Sequence, residues 1–233
     1  MKPLKVKGYG SIPHLPNSRM GPGDHHCDPG QAEIATSRLR DHRDRVIVTL
    51  KLDGSNVSIA NAPGMGIVAL QRHGYLAESS PHEQHRMFAR WVKRHERRFQ
   101  GLPEGCRIVG EWLALAHGTR YSLSMDPFVA FDAFAPENRR LPWDDLVKAA
   151  DAFMIPPVPV LHDSRCCPVS AEVVMNRIVS KRIFCELDEP EGAVWRVERD
   201  GYFDFMAKYV RPDKVDGLYL DDSNPVWNWR DDQ

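Results

Sequence analysis

The reactive chemistry of this chain is concentrated at Lys51-Leu52-Asp53-Gly54-Ser55-Asn56, which follows the apolar run Val46-Ile47-Val48-Thr49-Leu50. A strand that delivers a lysine, a carboxylate two residues on and then a glycine suits an enzyme that puts a nucleophilic amine on phosphorus. Side chains alternate along a strand, so Lys51 and Asp53 are expected on one face. Gly54 permits a sharp turn and lets a nucleotide approach the backbone. A lysine amine attacks only when neutral, which requires desolvation, nearby positive charge or a metal. At ordinary residue usage Lys-x-Asp-Gly arises by chance in roughly one chain in twenty of this length, so other segments must decide the matter.

Five such segments follow in order: Gln71-Arg72-His73-Gly74, Gly110-Glu111-Trp112, Phe131-Asp132, Glu191-Gly192-Ala193-Val194 and Ala207-Lys208-Tyr209-Val210-Arg211. Taken singly, each has an ordinary structural reading as a solvated charge or a charged strand edge. Together they match a nucleotide site. Two lysines and an arginine can meet phosphate, carboxylates can meet ribose and metal, and an aromatic ring can stack on a base.

The elements that must position these residues can be read from periodicity. The first forty residues, rich in Gly, Pro, His and Ser, read mostly as ordered loop. Strand patterns over Val46 to Ile59 and Ile67 to Gln71 flank a hairpin turn at Asn61-Ala62-Pro63-Gly64. A helix is expected from Pro81, with Phe88, Trp91, Val92 and Phe99 at helical spacing and Arg and Lys opposite. Arg107 to Leu115 and Phe128 to Phe134 read as strands, Trp143 to Met154 and Val169 to Ser180 as helices, and Pro156-Pro157-Val158-Pro159 as a linker. Ala193 to Glu198 and Phe203 to Val210 form a hairpin about Asp200-Gly201, a type I′ signal. The fold class is α+β, with antiparallel sheets flanked by helices.

At 233 residues the chain fits one domain or two small ones, and 42% hydrophobic with 27% charged residues is an ordinary globular composition. The 31 Lys and Arg against 32 Asp and Glu argue against nucleic-acid binding through overall positive charge, while leaving room for a local basic groove. Arg90 to Arg98 shows such local concentration. No apolar run is long enough to span a bilayer and no leader opens the chain, which reads as a cytoplasmic protein without membrane partners. Cys27, Cys106, Cys166, Cys167 and Cys185 lack framework spacing, which favours reduced thiols. His25-His26-Cys27 has no matching second cluster of ligands and reads as a polar loop.

On these motifs the chain resembles the covalent nucleotidyltransferases, and within them the ATP-dependent RNA ligases of the RNA ligase 2 and editing-ligase type. Lys51 to Asn56 is similar to motif I in its RNA-ligase form, since DNA ligases usually carry arginine where Asn56 stands. Arg72 falls on motif Ia, Glu111 on motif III, Phe131 on motif IIIa, Glu191 on motif IV and Lys208 on motif V. Tyr9 to Pro16 is similar to the segment that precedes motif I. Two positions depart from the pattern. Leu50 replaces a glutamate that helps recognise adenine, and the second cation of motif V is Arg211, one residue out of register.

The resemblance implies one nucleotidyltransferase (adenylylation) domain over residues 1–233. With about twenty residues after Arg211, no OB-fold domain is expected. It implies ATP and Mg²⁺ (or Mn²⁺) as cofactors, with Lys51 and Lys208 catalytic, Lys51, Asp53, Gly54, Arg72, Glu111, Phe131, Glu191, Lys208 and Arg211 on the nucleotide, and Glu191 on the metal. Lys51 would take AMP from ATP, AMP would pass to a 5′-phosphate, and a 3′-hydroxyl would attack that end. The implied partner is RNA, best as a nicked duplex, and the protein a monomer. The alternatives are a DNA ligase or a capping-type guanylyltransferase using the same lysine, and a non-catalytic RNA-binding module with Trp91 and the neighbouring arginines as its surface. For contact with the polynucleotide the candidates are the N-terminal segment and Arg94, Arg97 and Arg98.

Overall fold

The computed structural model describes residues 2–181, 183–221 and 223–230. Two antiparallel sheets carry the architecture. The first is built from Asp44–Lys51 (β1), Val160–Ser164 (β7), Gly192–Arg199 (β8) and Tyr202–Val210 (β9), in the order β7-β1-β8-β9. The second is built from Ser55–Ala62 (β2), Gly66–Gln71 (β3), Arg107–Trp112 (β4), Phe128–Ala135 (β5) and Arg139–Arg140 (β6), in the order β3-β2-β4-β5-β6. Pro29–Thr36 (α1) and Ala171–Ser180 (α4) pack on the first sheet, and Glu83–Arg94 (α2) and Trp143–Ala152 (α3) on the second. The α+β class expected from the sequence is the observed one.

β1 explains its own composition. Val46 and Val48 join Trp195, Val197, Ala32 and Ala35 in one core, while Ile47 and Leu50 join Phe88, Trp112 and Phe128 in the larger one. A strand covered on both faces reads as a continuous apolar run rather than an alternating one. That run hid a break. β1 ends at Lys51 and β2 starts at Ser55 in the other sheet, so Val46 to Ile59 is not one arm of a hairpin. Lys51 and Asp53 therefore do not share a strand face, because Asp53 lies in the crossover Leu52-Asp53-Gly54. A Cβ on Gly54 would sit 2.5 Å from the Trp112 carbonyl oxygen, so only glycine lets the crossover pass the end of β4. The turn at Pro63-Gly64 joins β2 to β3.

Three further differences have local causes. The N-terminal region contains α1, started by Pro29 and capped by Asp28, whose carboxylate accepts the Gly30 N–H at 2.8 Å. β7, an unexpected strand, pairs with β1 more than a hundred positions earlier in the chain. The Pro156–Pro159 stretch is no free linker. The Leu50 N–H donates to Pro159 at 2.9 Å, the Ala130 N–H to Pro156 at 2.9 Å, and the Val158 N–H to Ala130 at 2.7 Å, which ties the two sheets together.

The hairpin at Asp200-Gly201 is as expected, with φ of +54° and +80° at its two central residues. α2 buries Gln84, Met87, Phe88, Trp91 and Val92 at helical spacing. Trp91 is 1% exposed, which removes it as a stacking surface for nucleic acid. Arg98 is held by Asp126 at 2.9 Å and by the carbonyls of Phe153 and Met154, so its guanidinium is engaged within the fold.

A strap over residues 8–15 crosses from one sheet to the other. The Tyr9 N–H donates to the Arg72 carbonyl at 2.7 Å, the Lys208 N–H to Pro13 at 2.9 Å, and the Leu15 N–H to Lys208 at 2.8 Å. Among the described residues no helix is long and apolar enough to cross a membrane. None of the five cysteines is in a disulfide.

Candidate active site

Between the sheets and beneath the strap lies a cavity of about 280 Å³. β1 supplies Thr49, Leu50 and Lys51, β8 supplies Val194 and Arg196, and β9 supplies Met206 and Lys208. From the other side come Asn56 on β2, Glu111 on β4, Phe131 on β5 and Arg72 just beyond β3, with Tyr9, Gly10 and Ile12 from the strap.

Lys51, Gly54, Arg72, Glu111, Phe131 and Lys208 thus meet on one wall although the sequence spreads them over 158 positions. Asp53, Glu191 and Arg211 are absent from that wall. Glu191 acts one step behind it: its Oε2 lies 2.6 Å from the Lys51 Nζ. Asp53 turns away to Lys214 at 2.5 Å and accepts the Gly118 N–H at 2.8 Å. Arg211 corrects the expectation of a second phosphate cation. Val210 occupies the last strand position and is buried, so Arg211 leaves the strand and pairs with Asp213 at 2.5 Å and Glu189 at 3.2 Å.

The electrostatics around Lys51 are unbalanced. Burial alone would lower its proton affinity, but the carboxylates of Glu191, Glu111 and Asp53 raise it above that of an ordinary lysine. Glu191 is pushed up by burial, with Lys51 opposing. Burial, with Asp53 and Glu191 adding to it, pushes Glu111 up to about 8 against the pull of Lys51. Glu111 accepts the Gly54 N–H at 3.0 Å and has no cation in ion-pair contact among the described residues. Lys208 is lowered by burial and by Lys51, with Asp24 at 3.5 Å opposing. The site therefore holds a protonated nucleophile, carboxyls short of cations and a lysine short of anions.

One further wall group is unsatisfied, and two others are held in place. The buried Oδ1 of Asn56 has no hydrogen-bond partner. Arg72 reaches Ser11 at 3.2 Å and the Tyr9 carbonyl at 3.3 Å, which holds its guanidinium at the rim. Phe131 offers a ring to the cavity, braced edge-on by Tyr9 at 5.4 Å. For a divalent cation, Glu191 beside Lys51 and Glu111 are the carboxyl groups the site could offer. Among the described residues no cluster of three or more His, Cys, Asp or Glu stands ready for a metal. That donor set fits Mg²⁺ or Mn²⁺ held largely by water and ligand phosphate, since Mg²⁺ keeps much of its hydration shell.

Sequence reasoning missed several residues. Lys214 is 3% exposed and fixes Asp53 while also donating to Thr119 at 3.0 Å. It stands in a polar stretch without periodicity, and only the tertiary contact reveals it. Asp24, beside Lys208, sits in the loop-like N-terminal region. A second, wider cavity shares Gly54, Asn56 and Arg72 with the first and is lined by His82, His85 and His117. Burial and the neighbouring His82 and His117 push His85 down to about 4, so it is neutral at pH 7.

No curated protein sequence matches this chain. Among solved structures, an archaeal ATP-dependent RNA ligase in one form is 21% identical, with a TM-score of 0.55 over 88% of this chain and 48% of that one. A second form gives 20% and 0.54 over 87% and 48%. A mutant of the Naegleria gruberi RNA ligase with AMP and Mn gives 18% and 0.50 over 88% and 61%. At such identities the likeness concerns the fold, and this chain spans only about half to three-fifths of the length of those proteins. The RNA ligase family pattern matches residues 44–210, from the first residue of β1 to the last of β9, and so takes in every motif that reaches the cavity except the strap. The chain belongs to the RNA ligase family.

Proposed function

We propose that this protein is an ATP-dependent RNA ligase that works through a covalent lysyl-AMP intermediate on Lys51. One observation carries the reading: Lys51 faces a cavity walled by Arg72, Lys208, Asn56 and Phe131 while Glu191 holds its amine at 2.6 Å. Lys51 releases its ammonium proton to water, and the neutral Nζ attacks the α-phosphorus of ATP. The N–P bond forms as the bond to pyrophosphate breaks. Lys208 stabilises the charge that develops on the α-phosphate, and the orphaned Asn56 oxygen and Arg72 orient the ligand. A bound Mg²⁺ or Mn²⁺, held by Glu191 through water, would neutralise phosphate charge and cancel the carboxylate field that keeps Lys51 protonated. The AMP then moves to the 5′-phosphate of an RNA, and a 3′-hydroxyl displaces it to make the phosphodiester.

Adenine recognition falls to stacking on Phe131 and to the apolar wall formed by Ile12, Leu50, Val158 and Met206, in place of the glutamate that Leu50 replaces. The histidine-lined cavity that opens beside Arg72 is the path for the polynucleotide, and nicked duplexes with RNA at the 3′-hydroxyl are the preferred form, because a duplex already holds both ends together.

Incubation with α-labelled ATP and Mg²⁺ followed by denaturing electrophoresis tests the reading. The wild-type chain is expected to carry label. Lys51→Ala and Lys51→Arg are expected to carry none, since arginine stays protonated. Label on either variant overturns the assignment of Lys51. Equal or stronger labelling from GTP favours a capping-type guanylyltransferase, and RNA binding without any adduct a non-catalytic module.

A further inference from the structure

The N-terminal loop that carries Asp24 does more than cover the first sheet. Its contacts form a closed circuit that starts and ends on β9. The Val210 N–H donates to the Ser18 hydroxyl at 2.9 Å, and that hydroxyl lies 2.6 Å from the His14 Nδ1. The His14 Nε2 lies 3.0 Å from the Asp24 Oδ2, and the other oxygen of Asp24 lies 3.5 Å from the Lys208 Nζ. The Gly21 N–H, at 2.9 Å from Oδ2, fixes the same carboxylate. His14 is 1% exposed, and its backbone pairs with His26 and with Lys208. Burial and the Lys208 cation lower the proton affinity of His14, so it is neutral at pH 7 and has one N–H to give. Nδ1 faces the Ser18 hydroxyl, which turns Nε2 toward Asp24 at 3.0 Å, a close contact without hydrogen-bond geometry.

We infer that Asp24, held in place by His14 and Ser18, is a positioning residue that aims the Lys208 ammonium at the phosphate end of the cavity and keeps it charged. The inference rests on the proposed role of Lys208 in nucleotidyl transfer. The charged groups that face Lys208 are Lys51 on β1, Glu191 before β8 and Asp24, with His14 and His26 on the loop beyond. Lys51 opposes the charge on Lys208, and Glu191 is already engaged by Lys51 at 2.6 Å. Asp24 is therefore the carboxylate in ion-pair range of Lys208 that no other lysine or arginine engages among the described residues. Its loss leaves a half-buried lysine facing another lysine, and the proton affinity of Lys208 drops.

The experiment compares wild type, Asp24→Asn, Asp24→Glu and His14→Gln in single-turnover labelling by ATP from pH 6 to pH 10. A second readout, independent of turnover, is the pH dependence of Lys208 acetylation by a limiting amine-reactive reagent, read by peptide mass spectrometry. Asp24→Asn is expected to lose roughly tenfold or more in rate at neutral pH, with most of the loss in the rate constant rather than in KM for ATP. The alkaline limb of its profile should move to lower pH, and Lys208 should become reactive at lower pH, because a lysine of depressed proton affinity loses its charge earlier. Asp24→Glu should recover much of both, and His14→Gln should fall between. Unchanged profiles and unchanged Lys208 reactivity in Asp24→Asn overturn the inference. If Asp24→Asn fails to fold by circular dichroism, His14→Gln decides: an unshifted alkaline limb and unshifted acetylation there overturn it equally. Failure of the wild type to label at all strikes the proposed function instead, while the acetylation arm still reads the Asp24–Lys208 coupling.

Discussion

Two groups of buried charges share the wall of one cavity and are built on opposite terms. Around Arg196 the charges are matched. Asp132 meets Arg140 at 2.7 Å and Arg196 at 3.2 Å, and Glu198 takes the Arg196 Nε at 2.8 Å and the Trp143 N–H at 2.6 Å. Around Lys51 they are not matched. Glu191 and Glu111 are both pushed up by burial, and Lys208 is pushed down. A matched cluster fixes side chains and asks nothing of a ligand. An unmatched one stores the demand that a nucleotide and a cation would answer, which is where strongly perturbed groups point to function. The contrast separates scaffold from site without appeal to any motif.

The largest effect expected breaks the matched cluster. Arg196→Met leaves Asp132 and Glu198 with fewer cations in a buried setting and should cost about 3–5 kcal/mol in urea unfolding. A loss under about 1 kcal/mol would mean that Arg140 and Arg45 suffice and that the cluster is not the scaffold described. The next effect is on the unmatched side. Glu191→Ala and Lys208→Ala should each slow self-adenylylation on the order of a hundredfold while leaving unfolding midpoints near wild type. Either variant labelling at the wild-type rate would remove that residue from the site.

The smallest effect sharpens the comparison through pH. The carboxyl of Glu111 ionises at about 8 in the folded protein against an ordinary value of 4.5. A raised carboxyl pKa means that the folded state holds its proton after the unfolded state has released one. Stability is thus lost as pH rises from about 4.5 to about 8, with the full penalty present above that window. Glu111→Gln keeps the acceptor for the Gly54 N–H but has no proton to lose. Its stability should gain on wild type steadily as pH rises through the window in denaturant titrations of the unliganded protein, and level off above it. Parallel curves for the two proteins would show that Glu111 is not held protonated.

What was legible in the sequence was local. The hairpin at Asp200-Gly201 follows from two adjacent residues that accept positive φ, and α2 from one apolar stripe. Lys51, Arg72, Glu111, Phe131 and Lys208 were found because each sits in a short motif at or beside a strand, and the fold delivers them to one cavity. The break between β1 and β2 was obscured because both strands are buried on two faces and neither shows a clean alternation, although Gly54 marked the place. α1 carried a signal in Asp28-Pro29 that the surrounding Gly and His masked. β7 could not be read because it is largely solvent-exposed and owes its existence to a remote partner. Arg211, the motif V cation one residue out of register, lies beyond the end of β9, where it pairs with Asp213. Lys214 and Asp24 are defined by what they touch, and no spacing along the chain encodes that.

The two sheets are stitched together by backbone at three places: the Leu52-Asp53-Gly54 crossover, the carbonyls of Pro156 and Pro159, and the strap over residues 8–15. The gap that forms the cavity is therefore gauged by covalent chain length, as the jaw of a fixed spanner is set by its casting. Side chains on the wall can be exchanged to suit a different base or sugar without resetting that gap. Lengthening any of the three spans by a residue would reset it and leave the wall chemistry untouched. Within this architecture, ligand choice and ligand fit are written in separate parts of the chain.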